Sequence, residues 1–110
     1  MSGFEIREFT LPGSANEEWA AYCRMNTDDS VEALGPQGPL NSPEADLRAA
    51  HAALTESRVR RWLAWVKDRP AGFAKLVVNF VDEPEGAMAH VHVTPGYRRR
   101  GIGQALAEVV

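Results

Sequence analysis

The sequence predicts an α/β chain of the α+β kind: a mixed, mostly antiparallel sheet with flanking helices, in the order β-α-α-β-β-β-α. Three observations carry this. Residues 4–9 alternate apolar and polar with strand period, Phe4 and Ile6 against Glu5 and Arg7. Two runs rich in Val, Trp, Phe and Leu, 58–66 and 72–81, flank a segment with Pro70 and Gly72, which is a hairpin pattern. The last twenty residues pass from an apolar strand through a basic, glycine-bearing turn into an amphipathic helix.

Each element has its local signals. Pro12-Gly13 ends the first strand, and Ser14 or Asn16 caps a helix whose first turn holds Glu17 and Glu18. Trp19, Tyr22 and Cys23 share one face of that helix. Residues 34–43 form a loop dense in Gly and Pro; too few residues precede it for it to join two domains. Ser42 caps a second helix with Pro43 at its first position. Leu47, Ala50, His51 and Leu54 form its apolar stripe, which makes His51 a packed core histidine. The segment 68–72 is the turn of the hairpin, 82–86 is a second turn, and 87–93 is the next strand. Trp62 and Trp65, three apart, fall on opposite faces, one of them core. The final helix begins near Gly101, with Ile102, Ala105, Leu106, Val109 and Val110 on one face. Val110 is apolar and no stop signal follows it, so residues 1–110 read as one incomplete domain.

The totals narrow the function classes. With 110 residues, 45% hydrophobic and 25% charged, the chain suits one small globular domain. A net charge of −3 disfavours nucleic acid as a partner and leaves the arginine triplet as a local feature. A single cysteine, Cys23, makes no internal disulfide and fits a reducing compartment. With no apolar leader and no run of about 20 apolar residues, the expectation is a cytoplasmic protein without a membrane partner.

The chemistry concentrates in the tail. Backbone N–H groups at the head of a helix have no partners within it and point at whatever lies above. Gly101 and Gly103 lack a Cβ and allow close approach, while Arg98, Arg99 and Arg100 add positive charge. The sum is a cradle for a pyrophosphate. Three arginines in a row also suit a solvated turn or a nucleic-acid patch. The dinucleotide fingerprint fails at its third glycine, where Leu106 stands.

Residues 98–103, Arg-Arg-Arg-Gly-Ile-Gly, resemble the acetyl-CoA-binding motif of the GNAT superfamily of N-acyltransferases, Gln/Arg-x-x-Gly-x-Gly/Ala. Val93-Thr94-Pro95 and Tyr97 look like its approach to the loop, and the upstream element order is similar. The resemblance implies a GNAT-like fold and acetyl-CoA as acyl donor. The backbone of Val91, His92 and Val93 would bind the pantetheine arm, and Arg98, Arg99, Arg100, Gly101, Ile102, Gly103 and Gln104 would hold the pyrophosphate. An amine of a small molecule or peptide would attack the thioester directly in a ternary complex. A full domain of this family continues with a further strand, the other wall of the cleft, which makes this chain part of a longer or tandem acetyltransferase. Two alternatives stand beside catalysis: a non-catalytic CoA-binding module, and pairing with a second copy or a second acetyltransferase domain through the last strand.

An alkylammonium is mostly protonated at neutral pH, so a base is expected. His90 and His92 point to one face of their strand, and His92, nearer the loop, is the first candidate. The same pair also reads as ordinary sheet histidines. No Cys, His and Asp cluster completes a metal site around them, so no metal is expected. Glu83 and Glu85 lie in the turn entering that strand, and Glu85 is the second candidate base.

Overall fold

The computed structural model describes residues 3–35, 42–55, 57–79 and 87–110. The strands are β1 (Glu5–Phe9), β2 (Ser57–Val66), β3 (Arg69–Asn79) and β4 (Ala87–Val93). The helices are α1 (Glu17–Leu34), α2 (Pro43–Ala52) and α3 (Ile102–Val109). Short 3-10 turns cover Ala53–Thr55 and Pro95–Tyr97. The expected element order therefore stands. The turn 82–86, with Glu83 and Glu85, and most of the Gly- and Pro-rich loop lie outside the described residues. Two compact units are present: Met1–Thr10 with Glu56–Val110, and Leu11–Thr55.

The first unit is an antiparallel meander, β1-β2-β3-β4, with α3 on one face. Strand alternation sorts its side chains. Ile6, Ala64, Trp62, Ala74, Val91 and Val93 face α3 and pack with the buried Ile102 and Leu106. On the other face Leu63, Phe73 and His92 stand in one register row, all buried. Trp62 is the core tryptophan, and Trp65 is half-buried.

The hairpin turn is tighter than residues 68–72 suggest. Val66 pairs with Arg69, leaving only Lys67 and Asp68 between the strands. Pro70 and Gly72 lie inside β3. Pro70 sits near the strand's start, opposite Trp65, where the ladder shifts register between Ala64 and Trp65. Strand starts and bulges are the places that tolerate a missing N–H. Gly72 serves packing instead of turning: a Cβ there would meet the His92 carbonyl oxygen at 2.6 Å and Leu106 Cδ1 at 3.3 Å. Only glycine lets β4 and α3 approach β3 this closely.

Glu8 pairs in register with Trp62, which brings it to Arg60 on the same face. Arg60 Nε and Nη2 each donate to a Glu8 carboxylate oxygen at 2.8 Å. The same guanidinium lies 4.9 Å from the Trp62 ring centroid. These hydrogen bonds hold the Glu8 carboxyl below its ordinary value and raise Arg60 above its own.

In the second unit, Asn16 caps α1 by accepting from the Trp19 N–H at 2.8 Å. Ser42 caps α2 by accepting from Ala45, with Pro43 next to it as expected. Trp19 Nε1 donates to the Pro43 carbonyl at 2.9 Å, which ties the two helices. The Tyr22 ring lies tilted against Trp19 with centroids 5.3 Å apart, and Cys23 is buried. His51 corrects an expectation: it is exposed, and its Nε2–H donates to the Pro12 carbonyl at 2.8 Å. The helix ends at Ala52, so the stripe stops short of Leu54, and only Leu47 is buried.

Two outcomes follow from these contacts. Gly72→Ala destabilises the fold by about 1–3 kcal/mol in chemical denaturation, because the clash is with backbone that cannot turn aside; an unchanged midpoint contradicts the close approach. Unfolded Glu8 titrates at its ordinary value of 4.5 and folded Glu8 lower, so its contribution is complete above that value and lost as pH falls through the folded one. The exposed, solvent-screened pair gives only a small melting difference between wild type and Glu8→Gln at neutral pH. That difference closes in acid, and one that persists there contradicts the assignment to ionised Glu8.

Candidate functional site

β4 is the last strand of the sheet order, so one of its edges has no neighbour among the described residues. The Thr94 N–H donates to the Ala71 carbonyl at 2.8 Å. Antiparallel ladders alternate, so His92, two residues back, directs its backbone groups at β3, opposite Phe73. Val91 and Val93 direct theirs at the free edge. Arg98 confirms the direction: its Nε donates to the Val93 carbonyl at 2.9 Å. The outward groups left over are the N–H and carbonyl of Val91 and the N–H of Val93, since Arg98 takes the Val93 carbonyl.

The chain then turns sharply. Pro95–Tyr97 forms one 3-10 turn, and Arg98 follows it in extended conformation. Arg99 and Gly101 both have positive φ, 64° and 82°. Left-handed residues in a turn direct successive N–H groups inward as an anion-binding nest. Gly101 is the N-cap of α3 and makes no side-chain capping bond. The first helical carbonyl contact runs from Ala105 N–H to Gly101. The amides of Ile102, Gly103 and Gln104 therefore precede the first intrahelical bond.

The turn is anchored from below. Ile102 is 1% exposed and Leu106 fully buried against the sheet. Arg98, Arg99, Arg100, Gly101 and Gln104 are all exposed around it. The positive end of the α3 dipole and the three guanidinium groups converge on this surface. Arg100 is held by a cation–π contact, 5.4 Å from the Tyr97 ring centroid. Arg98 serves the loop as much as any ligand, since it locks the turn to Val93.

Gly101 and Gly103 act differently. A Cβ on Gly101 would meet nothing, but its φ of 82° strains any side chain. A Cβ on Gly103 would lie at an ordinary 3.5 Å from Val93 Cγ2.

His92, the first candidate base, lies on the face opposite α3. It is 4% exposed and stacks on Phe73 with ring centroids 5.6 Å apart. His90 lies 5.9 Å from the same ring. Among the described residues no group of three or more His, Cys, Asp or Glu gathers to hold a metal ion. No helix of the structure is long and apolar enough to cross a membrane.

The model of the Acetyltransferase (GNAT) family matches residues 25–110. The chain belongs to this family. Solved structures agree in fold. One, described as a possible acetyltransferase from Clostridium difficile 630, is 20% identical with a TM-score of 0.64, covering 96% of this chain and 67% of that one. An aminoglycoside acetyltransferase from an uncultured soil metagenomic sample, in complex with sisomicin, is 14% identical with a TM-score of 0.64, at 96% and 66% coverage. Spermidine N-acetyltransferase from Vibrio cholerae, in complex with CoA and spermine, is 13% identical with a TM-score of 0.64, at 99% and 62% coverage. The chain spans about two thirds of the length of these structures. No curated protein matches the sequence. Acyl transfer is the activity class that the family and these GNAT neighbours share.

Sequence reasoning missed two features: the Glu8–Arg60 pair, and the cations of the β2–β3 turn, Lys67 and Arg69, which line a common groove with Arg100. The signal for the second was present in Lys67-Asp68-Arg69 closing the β2–β3 hairpin, whose end is also the end at which β4 runs into the arginine turn.

Two substitutions separate the glycines. Gly101→Ala costs about 1–2 kcal/mol of stability, the penalty of a side chain in the left-handed region. Gly103→Ala leaves stability unchanged or raises it by up to about 1 kcal/mol. Equal losses in thermal denaturation contradict the backbone assignment.

Proposed function

We propose that this chain is the acetyl-CoA-binding part of an N-acetyltransferase acting on an amine of a small molecule or peptide. The observation that carries the reading is the uncapped head of α3, where backbone donors at 102–104 adjoin Arg98, Arg99 and Arg100 and the free edge of β4. A diphosphate fits that donor set, and an extended pantetheine arm fits the Val91 and Val93 edge beside His92. Acetyl-CoA supplies an activated thioester. The acceptor nitrogen forms its bond to the acetyl carbon as the C–S bond breaks, and the amine's proton leaves through a base. The chain's own work is positioning and a strand amide for the developing oxyanion. His92 is the first candidate for the base and Glu85 the second. The single cysteine suits a cytoplasmic, reducing setting.

A second reading, a non-catalytic CoA-binding or interaction module, is favoured by one observation. Among the described residues β4 has no strand on its outer side, its Met88 side chain is 64% exposed, and such an edge accepts another strand.

Calorimetry with acetyl-CoA, followed by thiol release over a panel of amines, tests the proposal. Binding with thiol release is expected. Binding without release on any amine favours the module, and no binding removes both. Gly103→Ala keeps the amide N–H and adds only a methyl group beside it, so it is expected to weaken coenzyme A while the fold persists; unchanged affinity contradicts close approach of the ligand at Gly103. His92→Ala is expected to lower turnover at neutral pH and to recover as pH rises; a pH profile identical to wild type removes His92 from the reaction.

A further inference from the structure

A groove of about 550 Å³ opens beside the arginine turn, lined by Val66, Lys67, Asp68, Arg69, Tyr97 and Arg100. It lies where the β2–β3 turn meets the turn into α3. Three of its four charged residues are cations. Lys67, Arg69 and Arg100 are exposed, and among the described residues none of them is in an ion pair. Like charges gathered around one concavity repel one another and raise its potential. Lys67 opens the two-residue β2–β3 turn with a φ of 57°, the left-handed conformation such a hairpin turn requires. Arg99 shows the same conformation in the neighbouring turn.

Arg100 and Tyr97 belong both to this groove and to the turn whose amides face a diphosphate. We propose that the groove is a second phosphate site, taking the ribose 3′-phosphate at the nucleotide end of coenzyme A. The proposal rests on the acyl-donor reading above and extends it from the diphosphate to the outer phosphomonoester. Lys67 and Arg69 supply the charge, and the Tyr97 ring holds Arg100 in place. Asp68 offsets one of the three cations, so the groove carries a net positive charge of two with a dianionic ligand to match.

The test compares coenzyme A with 3′-dephospho-coenzyme A by calorimetry on the full chain, in wild type and in the double variant Lys67→Gln, Arg69→Gln. Both side chains are exposed and carry no packing that the fold needs. Wild type is expected to prefer coenzyme A by about tenfold or more, the scale of a charge-assisted contact. The double variant is expected to bind both forms alike, at the wild-type affinity for the dephospho form. The preference is also expected to shrink with added salt. Equal affinity of wild type for the two forms overturns the second site while leaving the diphosphate cradle standing, as does a preference that survives in the double variant. Failure of both forms to bind overturns the acyl-donor reading itself.

Discussion

The site depends on how closely α3 seats on the sheet. Ile102 and Leu106 drop onto Ala64, Ala71 and Ala74, and Gly72 beneath them has no room for a methyl group. Small residues at these positions let the helix come down on the strands, and the buried pair fixes where its first turn stands. Hydrophobic burial of two aliphatic side chains contributes several kcal/mol, on the order of 1.5–3 each. That energy holds three backbone donors in a fixed arrangement at the helix head without a side chain to cap them. A capping Ser or Asp would satisfy one of those donors and close the surface to an anion.

The second constraint is the sheet edge. Among the described residues β4 pairs with β3 alone, and the alternation of the ladder decides which residues face outward. Val91 and Val93 do so with their backbones while their side chains pack under α3. His92 has the reverse arrangement: its backbone is committed to β3, and its ring lies on the other face against Phe73. One short strand therefore presents an outward edge, a packing face and a candidate base through nothing more than period-two geometry. Arg98 joins edge and cradle by bonding the Val93 carbonyl from the turn.

Much of this was legible in the sequence because the signals were local. Asn16 and Ser42 announce helix starts through side chains that reach only three residues ahead. The Gly101 and Gly103 turn announces itself through a backbone conformation and a lack of bulk. What was not legible depended on partners distant in the chain. Gly72 looks like a turn residue until α3 and His92 are placed against it. His51 follows the apolar stripe of α2, but the helix stops at Ala52 and the ring finds the Pro12 carbonyl instead. Lys67 and Arg69 carry no motif of their own, and they acquire meaning only beside Arg100.

We propose that the main-chain N–H groups of Ile102, Gly103 and Gln104, with that of Gly101 beside them, grip the diphosphate of coenzyme A. Backbone amide NMR of the isotopically labelled chain tests it most directly, by titration with coenzyme A and, separately, with pantetheine, which has no phosphate. Large shifts are expected at Gly101, Ile102, Gly103 and Gln104 with coenzyme A and none of that size there with pantetheine. Saturable binding of coenzyme A that leaves these four amides unmoved contradicts it.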